Sequence, residues 1–438
     1  MKKSLLAVAA TTAFAGAAQA QSSVTVYGIL DVGYVGANSS VTSANVPTQN
    51  YATNTTTYTN GSLKTTQSQL GQSAEQTSRL GFKGTEDLGG GLSALFTVEV
   101  GLTPNSSGAS TTSSVNGTAM NNRQSFVGFK KNGLGDMAIG TQYQPVHISV
   151  GKTDPGQQNN MTGSVLYTGQ ADSGVTGATG GNTAAYQSRA SNALTLNSDV
   201  MAGVQLHAMA ILNNSNATTL NGVTTNSGNV SVGGNTNTNG WALGADYTFN
   251  KFFITGAYTA VKNLTTTTNQ LAYPNATAGV ASATNNGSFA IWSGAQTAIN
   301  VQDNTGYVGA TYDFGILKAY AGWITRKASD TANSSYYQKR QAEQIGVRSF
   351  VTPTIESWAS AGVGTYTPYG QNQNSAHFNA WQLGSNYWLS KRTNLYAIYG
   401  QYAQANATYV STTTAGVSTT GNASVNANSY AIGVRHTF

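Results

Sequence analysis

The sequence contains no cysteine, few charged residues and no long apolar run beyond its N-terminus. With zero Cys in 438 residues, disulfide frameworks, thiolate metal sites and cysteine nucleophiles are excluded. Charged residues make up 8% of the chain, whereas ordinary soluble domains carry about 25%. A membrane-spanning helix needs about 18 or more consecutive apolar residues. Because no such run follows the N-terminus, the sequence does not predict a helical membrane protein.

The residues that are present indicate a folded chain. Aromatic residues reach 10%, with 23 Tyr, and the hydrophobic fraction is 39%, whereas disordered chains have few aromatics and high net charge. The formal net charge is +6 and the isoelectric point is near 9.2. Nucleic-acid binding requires Lys and Arg clustered on one face, but here the basic residues are scattered, so we expect no nucleic-acid partner.

Residues 1–20 have the pattern of a secretory signal peptide. Lys2 and Lys3 form a basic start, a short apolar run follows, and Ala18 and Ala20 flank Gln19 at a small-x-small cleavage site. The run is too short to cross a bilayer. The sequence therefore predicts export and a mature domain over residues 21–438.

Alternation of apolar and polar residues over about 10 positions, separated by turns and loops, is typical of transmembrane β-barrels. In the last segment Tyr430, Ile432 and Val434 alternate with small or polar residues, and Trp241 and Leu243 begin a similar pattern. Segments 123–131 and 393–402 carry apolar residues on both faces, so the side that meets lipid cannot be assigned for these two strands. Sixteen strands are predicted at 23–36, 78–87, 91–102, 122–131, 135–145, 186–198, 200–212, 241–249, 251–262, 305–314, 316–327, 339–351, 355–367, 377–389, 393–403 and 429–438.

The connections between these strands alternate in length. Tight turns such as 88–90 and 250–251 alternate with long polar loops at 37–77, 103–121, 146–185, 213–240, 263–304 and 404–428. Outer-membrane barrels have short periplasmic turns and long outer loops, while a secreted β-sandwich or β-helix predicts no such alternation. Unpaired strand edges are too costly in hydrocarbon, so the sheet must close. We therefore predict an all-β transmembrane antiparallel barrel of sixteen strands with a water-filled lumen.

Several segments resemble the trimeric general porins of Gram-negative, β-proteobacterial outer membranes. Residues 22–31 (SSVTVYGILD) are similar to the start of the mature family members, and residues 78–92 and 122–128 resemble their second to fourth strands. Residues 389–393 and the ending 433–438 complete the match. The terminal Phe438 resembles the signal that the barrel assembly machinery reads.

The resemblance implies a homotrimer in an outer membrane of lipid and lipopolysaccharide, which passes small hydrophilic solutes and ions and uses no cofactor. It also implies that the third long loop folds into the lumen and forms a constriction, with basic residues on the wall and acids on the loop. Carried over by motif, this constriction comprises Arg79, Lys83, Arg123, Arg189, Asp154 and Asp172. Alternation independently places Lys83 on the same face as Arg79.

One position departs from the family pattern. Many relatives have Gly-Arg-Gln-Tyr in the fifth strand, whereas this chain has Thr141 between Gly140 and Gln142, which puts anion preference in question. The alternative for each arginine is a rim anchor or a wall ion pair without effect on selectivity. That alternative is stronger for Arg189 and for three further wall cations, Lys318, Arg348 and Arg435.

Three functional classes remain after the motifs are considered. The four histidines, His147, His207, His377 and His436, lack metal-ligand spacing and a neighbouring catalytic constellation, so we expect no enzyme. A general, weakly anion-selective diffusion porin is favoured. A substrate-specific channel is the alternative, in which tyrosines could line a solute track at Tyr167, Tyr186, Tyr307 and Tyr336. A surface adhesin is less favoured, although loops of about 40 residues leave room for one.

Overall fold

Strand pairing runs around the whole wall of the molecule and returns to its starting strand. The computed structural model describes residues 23–50, 55–104, 121–168, 185–217, 234–267, 298–331, 337–367, 375–412 and 418–438. The predicted signal peptide, Asp172 and Tyr336 lie outside these ranges. Neighbouring strands are antiparallel throughout, and the last strand pairs with the first from Ile29–Thr437 to Ala44–Asn422. The sheet is therefore a closed barrel.

The described residues form seventeen strands and one helix. The first eight strands are β1 (Ser23–Asn50), β2 (Thr55–Gln72), β3 (Arg79–Gly89), β4 (Leu92–Gly101), β5 (Asn121–Lys131), β6 (Gly135–Tyr143), β7 (Arg189–Ser198) and β8 (Val204–Ala217). The others are β9 (Gly234–Phe249), β10 (Phe252–Thr267), β11 (Ala298–Asp313), β12 (Lys318–Asp330), β13 (Tyr337–Phe350), β14 (Ile355–Thr367), β15 (Ala376–Trp388), β16 (Thr393–Thr412) and β17 (Ser418–Thr437). Helix α1 (Pro145–Thr153) lies between β6 and β7.

The predicted sixteen-strand barrel is confirmed, with one additional strand. Both β2 and β3 pair with the same edge of β1: β3 pairs along residues 23–29 and β2 along residues 32–50. They therefore occupy one position in the wall, separated by residues 73–78. Each of the other fifteen strands matches one predicted strand.

The outer face carries the apolar residues that the alternation predicted. Leu30, Leu243 and Ile432 are 41%, 55% and 65% exposed, whereas their inward-facing neighbours Asp31, Ala242 and Ala431 are buried. Such an outer band matches the hydrocarbon core of a bilayer. Among the described residues, no helix has the length and hydropathy needed to cross a membrane.

The predicted strand ends were wrong on the long-loop side. Strand β1 continues to Asn50, β2 lies within the predicted loop 37–77, and β16 and β17 extend through most of 404–428. The alternation signal exists only where one face meets lipid and the other water, and the extensions are rich in Asn, Thr and Ser on both faces. The predicted turn at 198–199 is also longer, because β8 starts only at Val204 after a bridge between Met201 and Val204.

Candidate channel constriction

The third loop, residues 144–188, enters the barrel, and its described parts are 144–168 and 185–188. Helix α1 opens this loop with Pro145 in its first turn, where the missing N–H costs nothing. The helix buries Val146, Ser149, Val150 and Thr153, residues that lie on one face at helical spacing. This face packs on the inner side of β9 to β12.

Polar contacts hold α1 against that wall. Ser149 Oγ accepts a hydrogen bond from Thr255 Oγ1 at 2.8 Å, and Thr153 Oγ1 lies 2.5 Å from the Tyr307 hydroxyl. Lys152 forms an ion pair with Asp246 of β9, and His207 contacts the same carboxylate at 3.1 Å. Buried polar groups need such partners, so the wall residues fix where the helix lies.

The loop then continues across the other half of the inner wall. Gln344 of β13 donates to Asp154 Oδ1 at 3.0 Å. Gln382 of β15 and Asn159 exchange two side-chain hydrogen bonds of 2.5 and 2.9 Å. Further along, the Thr162 amide donates to Ser429 of β17. The loop therefore follows the wall from β8 to β17.

Glycines in the wall allow this close approach. A Cβ at Gly400 would lie 1.8 Å from the Thr162 carbonyl oxygen, and one at Gly362 would lie 2.3 Å from Val165 Cγ2. Cβ atoms at Gly309 and Gly346 would meet the loop at 2.4 and 2.5 Å. Since real Cβ atoms do not approach so closely, the absence of side chains at these positions makes room for the loop.

The described parts of the loop pack along the wall from β8 to β17 and not along the part from β3 to β7. This uncovered part carries three of the predicted constriction residues. Arg79, Arg123 and Arg189 begin or lie near the outer ends of β3, β5 and β7, and all three act electrostatically on His147 of the third loop. The structure therefore brings these arginines to one region. We call Arg79, Arg123 and Arg189 the basic arc.

A β-bulge turns Arg123 inward. Val127 and Phe129 of β5 are exposed on the outer face, and strict alternation would place Arg123 with them. The pairing shifts by one residue between Glu99–Gln124 and Val100–Asn122, so Arg123 is the extra residue. A bulge of this kind re-aims a side chain, so Arg123 faces inward although simple alternation from Val127 would place it outward.

Glu99 of β4 neutralises part of the basic arc. Arg123 Nε donates to Glu99 Oε1 at 2.8 Å, and Arg79 Nη1 lies 3.9 Å from the same oxygen. The Tyr27 hydroxyl donates to Glu99 Oε2. The Glu99 side chain is only 4% exposed, whereas that of Arg79 is 20% exposed. Glu99 was not predicted from the sequence, because a single acid opposite a bulge gives no motif that could reveal it.

His147 projects from α1 toward the basic arc. Its ring stacks on Tyr143 with centroids 4.3 Å apart, and Arg123 Nη2 donates to the Tyr143 hydroxyl at 2.7 Å. Burial, together with the charges of Arg123, Arg189 and Arg79, lowers the pKa of His147 to about 3. The imidazole is therefore neutral near pH 7 and adds no positive charge.

The remaining predicted constriction residues lie elsewhere. Lys83 is exposed over the Tyr27 ring at 5.4 Å, four residues and about 13 Å along the strand from Arg79. Asp154 was predicted as a constriction acid on the loop; it is 2% exposed, and burial raises the pKa of its carboxyl. Its side chain points from the loop toward the wall, where Gln344 donates to Oδ1, while the Gln158 amide of the loop donates to Oδ2. Asp172 lies outside the described residues.

The departure at Thr141 does not alter the basic arc directly. Thr141 pairs with Ser125, which in turn pairs with Val98, and directly paired residues share a face. Val98 is 42% exposed on the outer side. Thr141 Oγ1 lies 3.4 Å from Ser191 Oγ. The register therefore places Thr141 on the outer face.

Several other wall cations form structural contacts. Arg326 Nη2 lies 2.6 Å from Asp303, Arg348 donates to Glu356 and to the Pro155 carbonyl oxygen, and Arg435 lies 3.4 Å from Glu75. These contacts agree with the wall ion pair interpretation for Arg348 and Arg435. Among the tyrosines considered for a track, Tyr186 and Tyr307 are 1% exposed and so do not line a path.

The chain matches proteins of known class over most of its length. The Gram-negative porin family matches residues 6–407. An outer membrane porin protein of Bordetella pertussis is 28% identical over 436 residues, covering 92% of this chain and 94% of its own. Outer membrane porin protein 32 of Delftia acidovorans is 45% identical over 101 residues, 23% of this chain and 22% of its own.

Solved structures share the fold. The anion-selective porin from Comamonas acidovorans has a TM-score of 0.59 at 18% identity, covering 95% of this chain and 100% of that chain. The trimer form of in-vitro folded OmpT of Vibrio cholerae has a TM-score of 0.52 at 13% identity, covering 93% and 99%. At these identities the likeness shows the fold of the barrel.

Proposed function

The chain belongs to the Gram-negative porin family and is an outer-membrane channel rather than an enzyme; from this premise we propose that it is a general diffusion porin with a weak preference for anions. Small hydrophilic solutes and ions would pass between the third loop and the basic arc. The partial exposure of Arg79 beside the buried Glu99 carries this proposal.

The charge balance at the constriction favours anions. Among the described residues, Arg79, Arg123 and Arg189 place three cations in the arc, and the buried Glu99 pairs with Arg79 and Arg123. Asp154 is buried between the third loop and the wall. In a narrow lumen with low-dielectric walls, an excess of exposed positive charge raises the local anion concentration. The porin from Comamonas acidovorans that shares this fold is anion-selective, which supports the proposal.

Reversal potentials in a planar bilayer under a KCl gradient test the proposal. We expect a chloride-side reversal potential that moves toward zero in Arg79→Ser and in Arg79→Ser combined with Arg123→Ser. Arg392→Ser is the matched control, because Arg392 is exposed in the turn between β15 and β16 and carries the same charge. A reversal potential unchanged by the double substitution would refute the role of the arc.

We also propose that the functional unit is a homotrimer in lipopolysaccharide-containing outer membrane, assembled after removal of residues 1–20. The trimer form of the Vibrio cholerae structure supports the oligomer. Mass measurement of the detergent-solubilised protein tests it, together with single-channel current steps in groups of three. The alternative, a substrate-specific channel, predicts saturable conductance and block by one solute class.

A further inference from the structure

The chain between β2 and β3 is four residues longer than the stretch of β1 that it faces. Val32 pairs with Gln72 of β2 and Ile29 pairs with Arg79 of β3. Two residues of β1 between these pairs thus face six residues, 73–78. The excess of four is even, so the side chains of β2 and β3 keep the alternation of one continuous strand. We call residues 73–78 the inward segment.

Hydrogen bonds join the two ends of the inward segment, Ser73 and Ser78, to Asp31 and to each other. The Ser73 amide donates to the Asp31 carbonyl oxygen at 2.9 Å, and the Asp31 amide donates to Ser78 Oγ at 3.0 Å. The Ser78 amide also donates to Ser73 Oγ. These bonds satisfy the backbone groups that the interruption of the strand would leave unpaired.

The Asp31 carboxylate fills the interior of the segment. Its Oδ2 accepts hydrogen bonds from the amides of Glu75 and Gln76 at 2.8 and 2.7 Å, and its Oδ1 accepts one from the Tyr396 hydroxyl at 2.6 Å. Asp31 is fully buried. Hydrogen bonds from neutral donors to a charged acceptor contribute more than neutral pairs, so Asp31 is the main anchor of the segment.

The segment lies on the lumenal side of the wall. Glu75 is 4% exposed and accepts hydrogen bonds from Asn386 of β15 and Asn394 of β16. Ala74 is fully buried in a cluster that contains Met161 of the third loop. The segment therefore crosses the inner face of the seam between β1 and β17.

The third loop and the basic arc both contact the segment. The Asn160 amide donates to the Ala74 carbonyl oxygen, and Asn160 Nδ2 donates to the Ser73 carbonyl oxygen at 2.7 Å and to Thr77 Oγ1. On its other side, Arg79 Nε donates to the Thr77 carbonyl oxygen at 2.9 Å. The segment thus joins the middle of the third loop, at Asn160, to Arg79, the first arginine of the arc.

We propose that the inward segment is a second constriction element, which closes the ring between the third loop and the basic arc and positions Arg79, with Asp31 as its anchor. This proposal rests on the channel function proposed above. Conductance of the wild-type chain tests that function separately.

Deletion of residues 74–77 removes the element while keeping the strand. Ser73 would remain opposite Asp31 and Ser78 would follow opposite Leu30, so that β2 and β3 become one strand in register. We expect single-channel conductance to rise on the order of twofold, because it follows the open cross-section of the pore. Larger oligosaccharides should also enter liposomes that contain the variant. A folded deletion variant with wild-type conductance and sugar exclusion would overturn the proposal.

Asp31→Leu tests the anchor without shortening the chain. It leaves the Glu75 and Gln76 amides without their acceptor, and we expect several conductance levels where the wild-type channel has one. Asp303→Leu is the control, since Asp303 is also buried and pairs with Arg326 on the wall. Both substitutions remove one negative charge. If both variants show several conductance levels, or if both show one, the anchoring role of Asp31 is refuted.

Discussion

At the scale of single residues, Glu99 determines how much positive charge the basic arc presents. Its carboxylate lies 2.8 Å from Arg123 Nε and 3.9 Å from Arg79 Nη1. Glu99→Gln keeps the shape and an acceptor for Arg123 but removes the charge. We expect the chloride-to-potassium permeability ratio to rise roughly twofold, a modest change because salt screens lumenal charges. Bilayer reversal potentials check this.

Glu86→Gln serves as the control for Glu99→Gln, because Glu86 is exposed near the β3–β4 turn. An equal shift in the two variants would indicate a general effect of net charge. A decrease in the ratio after Glu99→Gln would contradict the role of Glu99.

His147 should contribute nothing to the pH dependence of selectivity in the range where histidines usually titrate. Burial, together with the nearby positive charges of Arg123, Arg189 and Arg79, holds its pKa at about 3, whereas a free histidine has a pKa of about 6.5. A lowered pKa means that the neutral form persists down to about pH 4. We expect His147→Asn to show the same reversal potential as the wild type at each pH between 5 and 8. A change centred near pH 6 that His147→Asn abolishes would contradict this.

At the scale of structural elements, the position of the third loop depends on wall glycines. In Gly400→Ala the new Cβ would lie 1.8 Å from the Thr162 carbonyl oxygen, so the loop must move toward the pore axis. We expect lower single-channel conductance and a loss of about 1–3 kcal/mol in unfolding free energy, the usual cost of overpacking. Single-channel recording and urea unfolding measure the two effects.

Gly256→Ala is the matched control for Gly400→Ala. Gly256 also lies in the wall, but a Cβ there would have its nearest contact at 3.8 Å, with the Tyr307 carbonyl oxygen. This variant should conduct as the wild type does. Equal conductance in the two alanine variants would show that the loop does not depend on the close approach at Gly400.

The elements differ in how far the sequence predicts them. Strands that meet lipid on one face show alternation, so the sixteen wall positions were predicted correctly. The extension of β1 beyond residue 36 was not, because polar residues occupy both of its faces. Arg123 was predicted only through its motif, because the bulge places its side chain on the face opposite to the one that alternation predicts. The inward segment gives no periodic signal, because its contacts join residues distant in sequence, such as Glu75 and Asn394.

At the scale of the whole molecule, closure of the barrel depends on the pairing of the two chain ends. The Gly28 amide donates to the Phe438 carbonyl oxygen at 3.0 Å, and the Phe438 amide donates to the Gly28 carbonyl oxygen at 3.1 Å. A Cβ at Gly28 would lie 2.4 Å from Phe438 Cζ, so the ring covers this glycine. The seam between β1 and β17 therefore ends on the last residue.

Deletion of Phe438 should consequently weaken the barrel even when no assembly machinery is present. Two backbone hydrogen bonds and the ring contact are lost, and each hydrogen bond contributes about 0.5–1.5 kcal/mol. We expect a lower urea midpoint for purified protein refolded into detergent or liposomes. Phe438→Leu is the control, because it keeps both backbone bonds and an apolar side chain over Gly28. If the deletion variant refolds with the wild-type midpoint and fails only in cells, Phe438 acts as an assembly signal and contributes nothing to closure.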